Sequence, residues 1–475
     1  MAIEYRILGY ATMSHMSEKL IVKGLDGKKT LAGEIKINGA KNAVLKAIAA
    51  ALLFDGPVTL ENVPDTEDVS KMSDLLIALG VSVTMDIAGK KITIDATGLL
   101  STDLDHTISQ SMRSSVVTTG PLLGRYGHVS FPAPGGCVIG TRPIDLFIEG
   151  YKKMGATVTE VTDVNDNSRY NVTAPTGGLT GAEIIFPIQT VGGTETLMMA
   201  ALLAHGTTIL KNCAMEPEIV DLAHYLISCG AHIEGVGSPT IVITGRGHTP
   251  ERVADNINAK NLLSTKGKSY RTVPDRIEAG SFLLLGALCA KDLKITHCEP
   301  AHLDVVIAML RDSGVALEVG KDFIHIKGTS AQNLKPFNIR THEYPGFPTD
   351  LQAPAVVYLT QAAGESIIFE TIFEGRFKYA DDLKKMGASV TIMNPREILV
   401  KGPAALKALD GVDGDQREEL QAYDIRAGFA VIMAALLARG TSVIKNIYFI
   451  DRGYENIEGR LRAIGADIQR TSVEE

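Results

Sequence analysis

The chain is poor in the features that mark several large classes of protein. Its 475 residues include five cysteines (Cys137, Cys213, Cys229, Cys289 and Cys298), and no two form a C-x-x-C pair. An odd, widely spaced set suggests neither a zinc site nor a disulfide framework and fits a reducing compartment. Cations are not in excess, because the formal net charge is −8. That argues against a nucleic-acid or anionic-membrane surface, which needs a basic stripe. No apolar run reaches the roughly 18–20 residues that span a bilayer. The N-terminus mixes Glu4, Arg6, His15, Glu18 and Lys19 with apolar residues, unlike a signal peptide. A soluble, cytoplasmic protein is expected. H-E-x-x-H, G-x-S-x-G, Walker and G-x-G-x-x-G motifs are absent too. The Gly192-Gly193-Thr194-Glu195 turn is the weak exception, faintly phosphate-like.

What is present is repetition. A chain this long needs at least two domains, and 45% apolar with 21% charged residues describes an ordinary globular protein. A helix-like stretch ending in glycine, then a β-branched run, recurs six times, with the glycines at Gly80, Gly155, Gly230, Gly314, Gly387 and Gly465. Each glycine reads as a left-handed helix stop and each following run as a strand. A second apolar helix with its own strand accompanies most copies, as in TETLMMAALLAHGTTILKNC. Six α/β units grouped three and three predict two domains, with a seam in 256–274 and ligands between them. Residues 173–181 and 404–416 read as surface-loop insertions.

The chemistry centres on Pro134-Gly135-Gly136-Cys137-Val138-Ile139-Gly140-Thr141-Arg142-Pro143-Ile144-Asp145. Its glycines let backbone approach a ligand, and Arg142 lies five residues from the thiol, where a cation favours thiolate. The alternative is a turn holding an incidental buried cysteine. Lys41 and Asn42 open an apolar helix and with its free N–H groups form an anion pocket, or else Lys41 is simply solvated. Arg113, Arg376, Arg426 and Arg452 also stand at loops or helix starts, where repeat-related positions can gather positive charge in one cleft. Asp350, in a loop fixed by two prolines and a glycine, is either a helix N-cap or a general base. Asp275-Arg276 and Glu278 make a similar helix start.

These stretches in order resemble the MurA-type enolpyruvyl transferases, the UDP-N-acetylglucosamine 1-carboxyvinyltransferases. The matching segments are N-G-A-K-N-A (38–43), M-R-S-S (112–115), P-G-G-C-V-I-G-T-R-P-I-D-L (134–146), P-D-R-I-E-A-G-S-F (274–282), F-P-T-D-L-Q-A (347–353), F-E-G-R-F (373–377), D-I-R-A (424–427) and I-D-R-G-Y-E (450–455). The resemblance implies a two-domain enolpyruvyl-transferase fold of inside-out α/β barrels, built from six βαβαββ-like repeats. Residues 41–273 would be an inserted domain carrying Cys137. Residues 1–40 and 274–475 would form the second, carrying Asp350. It implies transfer of enolpyruvyl from phosphoenolpyruvate to the 3′-hydroxyl of UDP-N-acetylglucosamine through a tetrahedral ketal, with phosphate released and no metal or cofactor.

In that scheme Cys137 protonates the methylene carbon, or forms a covalent adduct, and Asp350 takes the hydroxyl proton. Lys41, Arg142 and Arg452 hold phosphate and carboxylate, with Arg376 and Arg426 in support. Lys41 and Asn42 bridge the two substrates. Arg113, Arg142, Pro143, Ile144, Asp145 and Leu146 contact the nucleotide sugar, with Asp350 and Ile372 near its ring. A monomer or weak oligomer is expected, with no nucleic-acid or membrane partner. Three departures from the family pattern stand out. Phe147 replaces a frequent histidine, Pro187-Ile188-Gln189-Thr190 replaces a segment offering lysine and serine, and 256–270 is lengthened. The first two lie on the nucleotide side, so a related transferase with another nucleotide acceptor is the alternative. The shikimate enzymes share the fold but lack the P-G-G-C loop. A non-catalytic binding module with this fold is the remaining reading, and the presence of Lys41, Cys137, Asp350, Arg376 and Arg452 together speaks against it.

Overall fold

The computed structural model describes residues 17–133, 144–162, 168–250, 261–328, 334–409 and 418–473. The six repeat glycines all take the left-handed conformation, with φ between 89° at Gly80 and 105° at Gly314. The strands after them are Ser82–Asp86, Thr157–Thr162, His232–Glu234, Leu317–Val319, Ser389–Asn394 and Asp467–Val473. Each is the edge strand of its own sheet, and there are six such sheets among the described residues. In five of them the edge strand pairs antiparallel with the strand that follows it in sequence. Among the described residues no strand follows the last copy. Ser17–Lys23 takes that place, pairing with Asp467–Val473 from Ser17↔Val473 to Lys23↔Asp467.

Two kinds of helix follow from two patterns of apolar residues. Val191–Ala201, Arg276–Cys289 and Ile425–Leu437 are buried nearly all round, as helices without a polar face must be. Lys41–Ala50, Thr119–Tyr126 and Gln352–Leu359 are likewise enclosed. Glu67–Ala78, in contrast, buries an apolar stripe through Val69, Met72, Leu75 and Leu76, together with Asp68 and Ser73, and leaves Glu67, Asp74, Ile77 and Ala78 exposed. Helices therefore fill the interior and the sheets wrap them.

The buried residues divide into two clusters. One runs from Val44 to Tyr270; the other joins Leu20–Ile37 to Ile277–Ile468. The chain passes between them at two adjacent places. Gly39 bridges Pro274, Ala40 N–H donates to Val273 O at 2.7 Å, and Asp275 N–H donates to Asn38 O at 2.9 Å. A Cβ on Gly39 would lie 1.8 Å from Asn62 O, so this crossing admits only glycine. No helix among the described residues is long and apolar enough to cross a membrane.

Candidate active site

The two crossings deliver Lys41 and Asp275 side by side. Asp275 caps the Arg276–Cys289 helix, accepting from Ile277 N–H (2.8 Å) and Glu278 N–H (3.0 Å), and its other oxygen accepts from Lys41 N–H at 3.3 Å. Lys41 starts its own helix, and its side chain is nearly enclosed. Its Nζ donates to Asp68 Oδ2 at 3.0 Å, and Arg452 Nε donates to Asp68 Oδ1 at 2.9 Å. Asp68 belongs to the first core and Arg452 to the second, so a single carboxylate joins them. Burial by itself would raise Asp68, but Lys41 and Arg452 outweigh it and hold the carboxyl below its usual range. Lys41 is pushed down as well. Its lost hydration dominates, Arg426 and Arg452 add to it, and Asp68 opposes. An incoming phosphate or carboxylate would compete with Asp68 for these Nζ and Nε donors.

A second carboxylate, Asp350, is held by two arginines. Arg376 Nη2 donates to Asp350 Oδ1 at 3.1 Å and Arg426 Nε to Asp350 Oδ2 at 3.2 Å. Arg426 lies over the Tyr454 ring and Arg376 over the Phe373 ring, at 5.4 and 5.5 Å. Behind them the buried Glu370 accepts from Thr341 Oγ1 and Thr349 Oγ1, each at 2.9 Å, and from Ile372 N–H at 2.8 Å. Thr349 Oγ1 in turn accepts from Arg376 Nη1 at 2.8 Å. Glu370 thus orients Thr349, Thr349 orients Arg376, and Arg376 holds Asp350. Asp350 lies inside the short turn Thr349–Leu351, and Leu351 is the N-cap of the Gln352–Leu359 helix, so Asp350 is not that helix's N-cap residue.

The structure therefore brings Lys41 and Arg452 together through Asp68, and Asp350 together with Arg376 and Arg426. Arg113 opens the half-buried start of the turn Arg113–Thr118, and Asn42 is the second residue of the Lys41 helix. Ile144, Asp145 and Leu146 begin the Asp145–Lys153 helix, with Asp145 exposed. Cys137, Arg142 and Pro143 lie outside the described residues. Phe147 points into the core, edge-on to Tyr151 at 5.8 Å and 6.5 Å from Phe131. The Gly192-to-Glu195 stretch is no phosphate turn. It is helical, capped by Thr190 Oγ1 accepting from Gly193 N–H, and Glu195 is wholly buried. Asp68, Glu370 and Asp275 carry the site's geometry, and of these the sequence drew attention to Asp275 alone. Among the described residues no three His, Cys, Asp or Glu side chains gather as metal ligands.

Two helix-filled α/β cores, wrapped by sheets and joined where Asp68 holds a cation from each, are the architecture the chain presents. The chain belongs to the EPSP synthase (3-phosphoshikimate 1-carboxyvinyltransferase) family, whose model matches residues 25–461. Relatives named UDP-N-acetylglucosamine 1-carboxyvinyltransferase are similar at nearly full length. That of Koribacter versatilis is 40% identical over 95% of this chain and 96% of its own. That of Magnetococcus marinus is 41% identical over 95% and 99%. Among solved structures, the enolpyruvyl transferase NikO from Streptomyces tendae has a TM-score of 0.78 at 23% identity, covering 96% of this chain and all of its own. EPSP synthase from Acinetobacter baumannii has a TM-score of 0.65 at 18% identity, with the same coverage. These two likenesses speak for the fold alone.

Proposed function

We propose that this protein transfers the enolpyruvyl group of phosphoenolpyruvate to the 3′-hydroxyl of UDP-N-acetylglucosamine, releasing phosphate and opening peptidoglycan synthesis. It is a transferase. The observation that carries the reading is the 40% identity to 1-carboxyvinyltransferases of that name across 95% of the chain. The buried cation groups on Asp68 and Asp350 support it, because a triply charged donor must be met by fixed positive charge.

The roles we assign follow the order of bond changes. Asp350 takes the proton as the 3′-oxygen attacks C2 of phosphoenolpyruvate, while Cys137 gives a proton to C3, forming the ketal. C3 then loses a proton and the C2–O bond to phosphate breaks, which restores the double bond on the new ether. Lys41, Arg142 and Arg452 hold phosphate and carboxylate, and Arg376 and Arg426 support that anion cluster and aim Asp350. We place the substrates between the two cores, with Asn42, Arg113, Pro143, Ile144, Asp145, Leu146 and Ile372 on the nucleotide-sugar side. A cytoplasmic location accords with four cysteines (Cys213, Cys229, Cys289 and Cys298) that are all free and buried.

The test is phosphate release from phosphoenolpyruvate, with UDP-N-acetylglucosamine, UDP-glucose or UMP as acceptor, run beside Cys137→Ala. Release with UDP-N-acetylglucosamine alone, abolished by C137A, is expected. Release only with another acceptor would move the reading to a related transferase. None with any acceptor, from folded protein, would end it.

A further inference from the structure

Away from the site, one guanidinium gathers three carboxylates. Arg470, on the Asp467–Val473 strand, places Nη2 2.7 Å from Asp451 Oδ1 and Nη1 2.9 Å from Asp451 Oδ2. Its Nε donates to Glu458 Oε1 at 2.9 Å, and Nη1 also reaches Glu18 Oε2 at 2.7 Å. The strand does not need these contacts to stay in place, since it is paired along its whole length with Ser17–Lys23. Glu458 is held at two points as well, since Nη2 also donates to its Oε2 at 3.2 Å, but Asp451 is the informative member because it immediately precedes Arg452.

Asp451 ends a helix of four residues, Tyr448–Asp451, too short to hold its own orientation. Successive side chains leave this turn in different directions. Ile450 is fully buried in the second core, Asp451 turns to Arg470, and Arg452 reaches Asp68 of the first core. Gly453 leaves no slack, since a Cβ there would meet Ile425 Cγ2 at 2.6 Å. A two-point fork fixes rotation as well as distance, which a single ion pair does not.

We propose that Arg470 is a positioning residue that, through Asp451, sets the rotation of the 448–451 turn and so aims Arg452 at the anionic donor substrate. This rests on the assignment of Arg452 to phosphoenolpyruvate made above. Glu458 provides the internal control: it shares the same guanidinium but lies on the Ile457–Ala463 helix, past Arg452.

The experiment is steady-state phosphate release with thermal melting for wild type, Arg470→Met, Arg470→Lys, Asp451→Asn and Glu458→Gln. R470M and D451N should raise KM for phosphoenolpyruvate about tenfold and leave KM for UDP-N-acetylglucosamine within about twofold, the mark of lost donor binding. R470K, which keeps the charge without the fork, should fall between wild type and R470M. E458Q should lower the melting temperature with both KM values unchanged. A merely structural Arg470 gives another pattern: fewer active molecules, hence lower kcat with unchanged KM in R470M and D451N. That result overturns the proposal, as does an E458Q that raises KM as far as D451N. Inactive wild type would fail the parent reading, and this one with it; active wild type leaves the variants to decide.

Discussion

Two buried carboxylates, Asp68 between the cores and Glu195 inside the first one, shift in opposite directions. Burial raises both. Asp68 faces Lys41 at 3.0 Å and Arg452 at 2.9 Å and ends below the ordinary range. Glu195 faces Lys46 at 3.4 Å, with Glu216 and Glu218 near, and is pushed up to about 7. Neither of its oxygens has a hydrogen bond among the described residues. Two cations in hydrogen-bond contact offset the loss of water; one lysine at a longer reach does not. The distinction is also one of place. The compensated carboxylate sits where cations of both cores meet, and its cations are those assigned to substrate. Asp350, a quarter exposed and held by two arginines, resembles Asp68 rather than Glu195.

The sharpest way to separate these carboxylates is to neutralise each and ask what fails. Asp350→Asn keeps one carbonyl acceptor, for Arg376 or Arg426 but not both, and cannot take a proton. It should lower kcat by about 10²–10⁴, the range of general-base removal, and lower the melting temperature too, because the buried Arg376 and Arg426 lose a shared counter-charge. A D350N enzyme within a few-fold of wild type would strip Asp350 of that role. Asp68→Ala should act on stability first. It leaves Lys41 and Arg452 enclosed without their counter-charge, a loss of about 3–5 kcal/mol in denaturant titrations. If a substrate anion takes the place of Asp68, phosphate or phosphoenolpyruvate should raise the melting temperature of D68A more than that of wild type. Equal increments would show that the anion and Asp68 do not share donors.

The parts of this arrangement legible in the sequence were those with a local rule behind them. The six glycines each stop a helix in the left-handed conformation, a choice written in the residue itself. Motif order marked Lys41, Asp350, Arg376, Arg426 and Arg452, and the fold groups them. Asp68 was hidden because an aspartate in the first turn of a helix reads as a partner of the helix dipole. Its second cation lies 384 residues away, and no spacing rule reaches that far. Glu370 was hidden for a similar reason: it touches no candidate arginine directly and acts through Thr349. The Gly192-to-Glu195 stretch misled because paired glycines suggest a turn, whereas Thr190 caps a helix there and draws Glu195 inside.

The smallest expected effect falls on Glu195, the less compensated of the two carboxylates. Glu195 has a folded value near 7 against an ordinary 4.5, so folding favours its protonated form. The stability it contributes is full below about pH 4.5 and is lost as pH rises through about 7, at no more than about 1.4 kcal/mol per pH unit within that window. Asp68 has the opposite sign: its contribution is present above the ordinary aspartate value and is lost as pH falls through its lower folded one. Glu195→Gln keeps the shape and cannot titrate, so melting temperatures at pH 5 and pH 8 should lie closer together in E195Q than in wild type. Its absolute stability is not the readout, because Lys46 loses its partner at every pH. Asp68→Asn should leave the slope across that window as in wild type and flatten the curve only on the acid side. An E195Q curve parallel to wild type from pH 5 to 8 would mean that Lys46 already compensates Glu195, and the two buried carboxylates would then differ in position but not in charge.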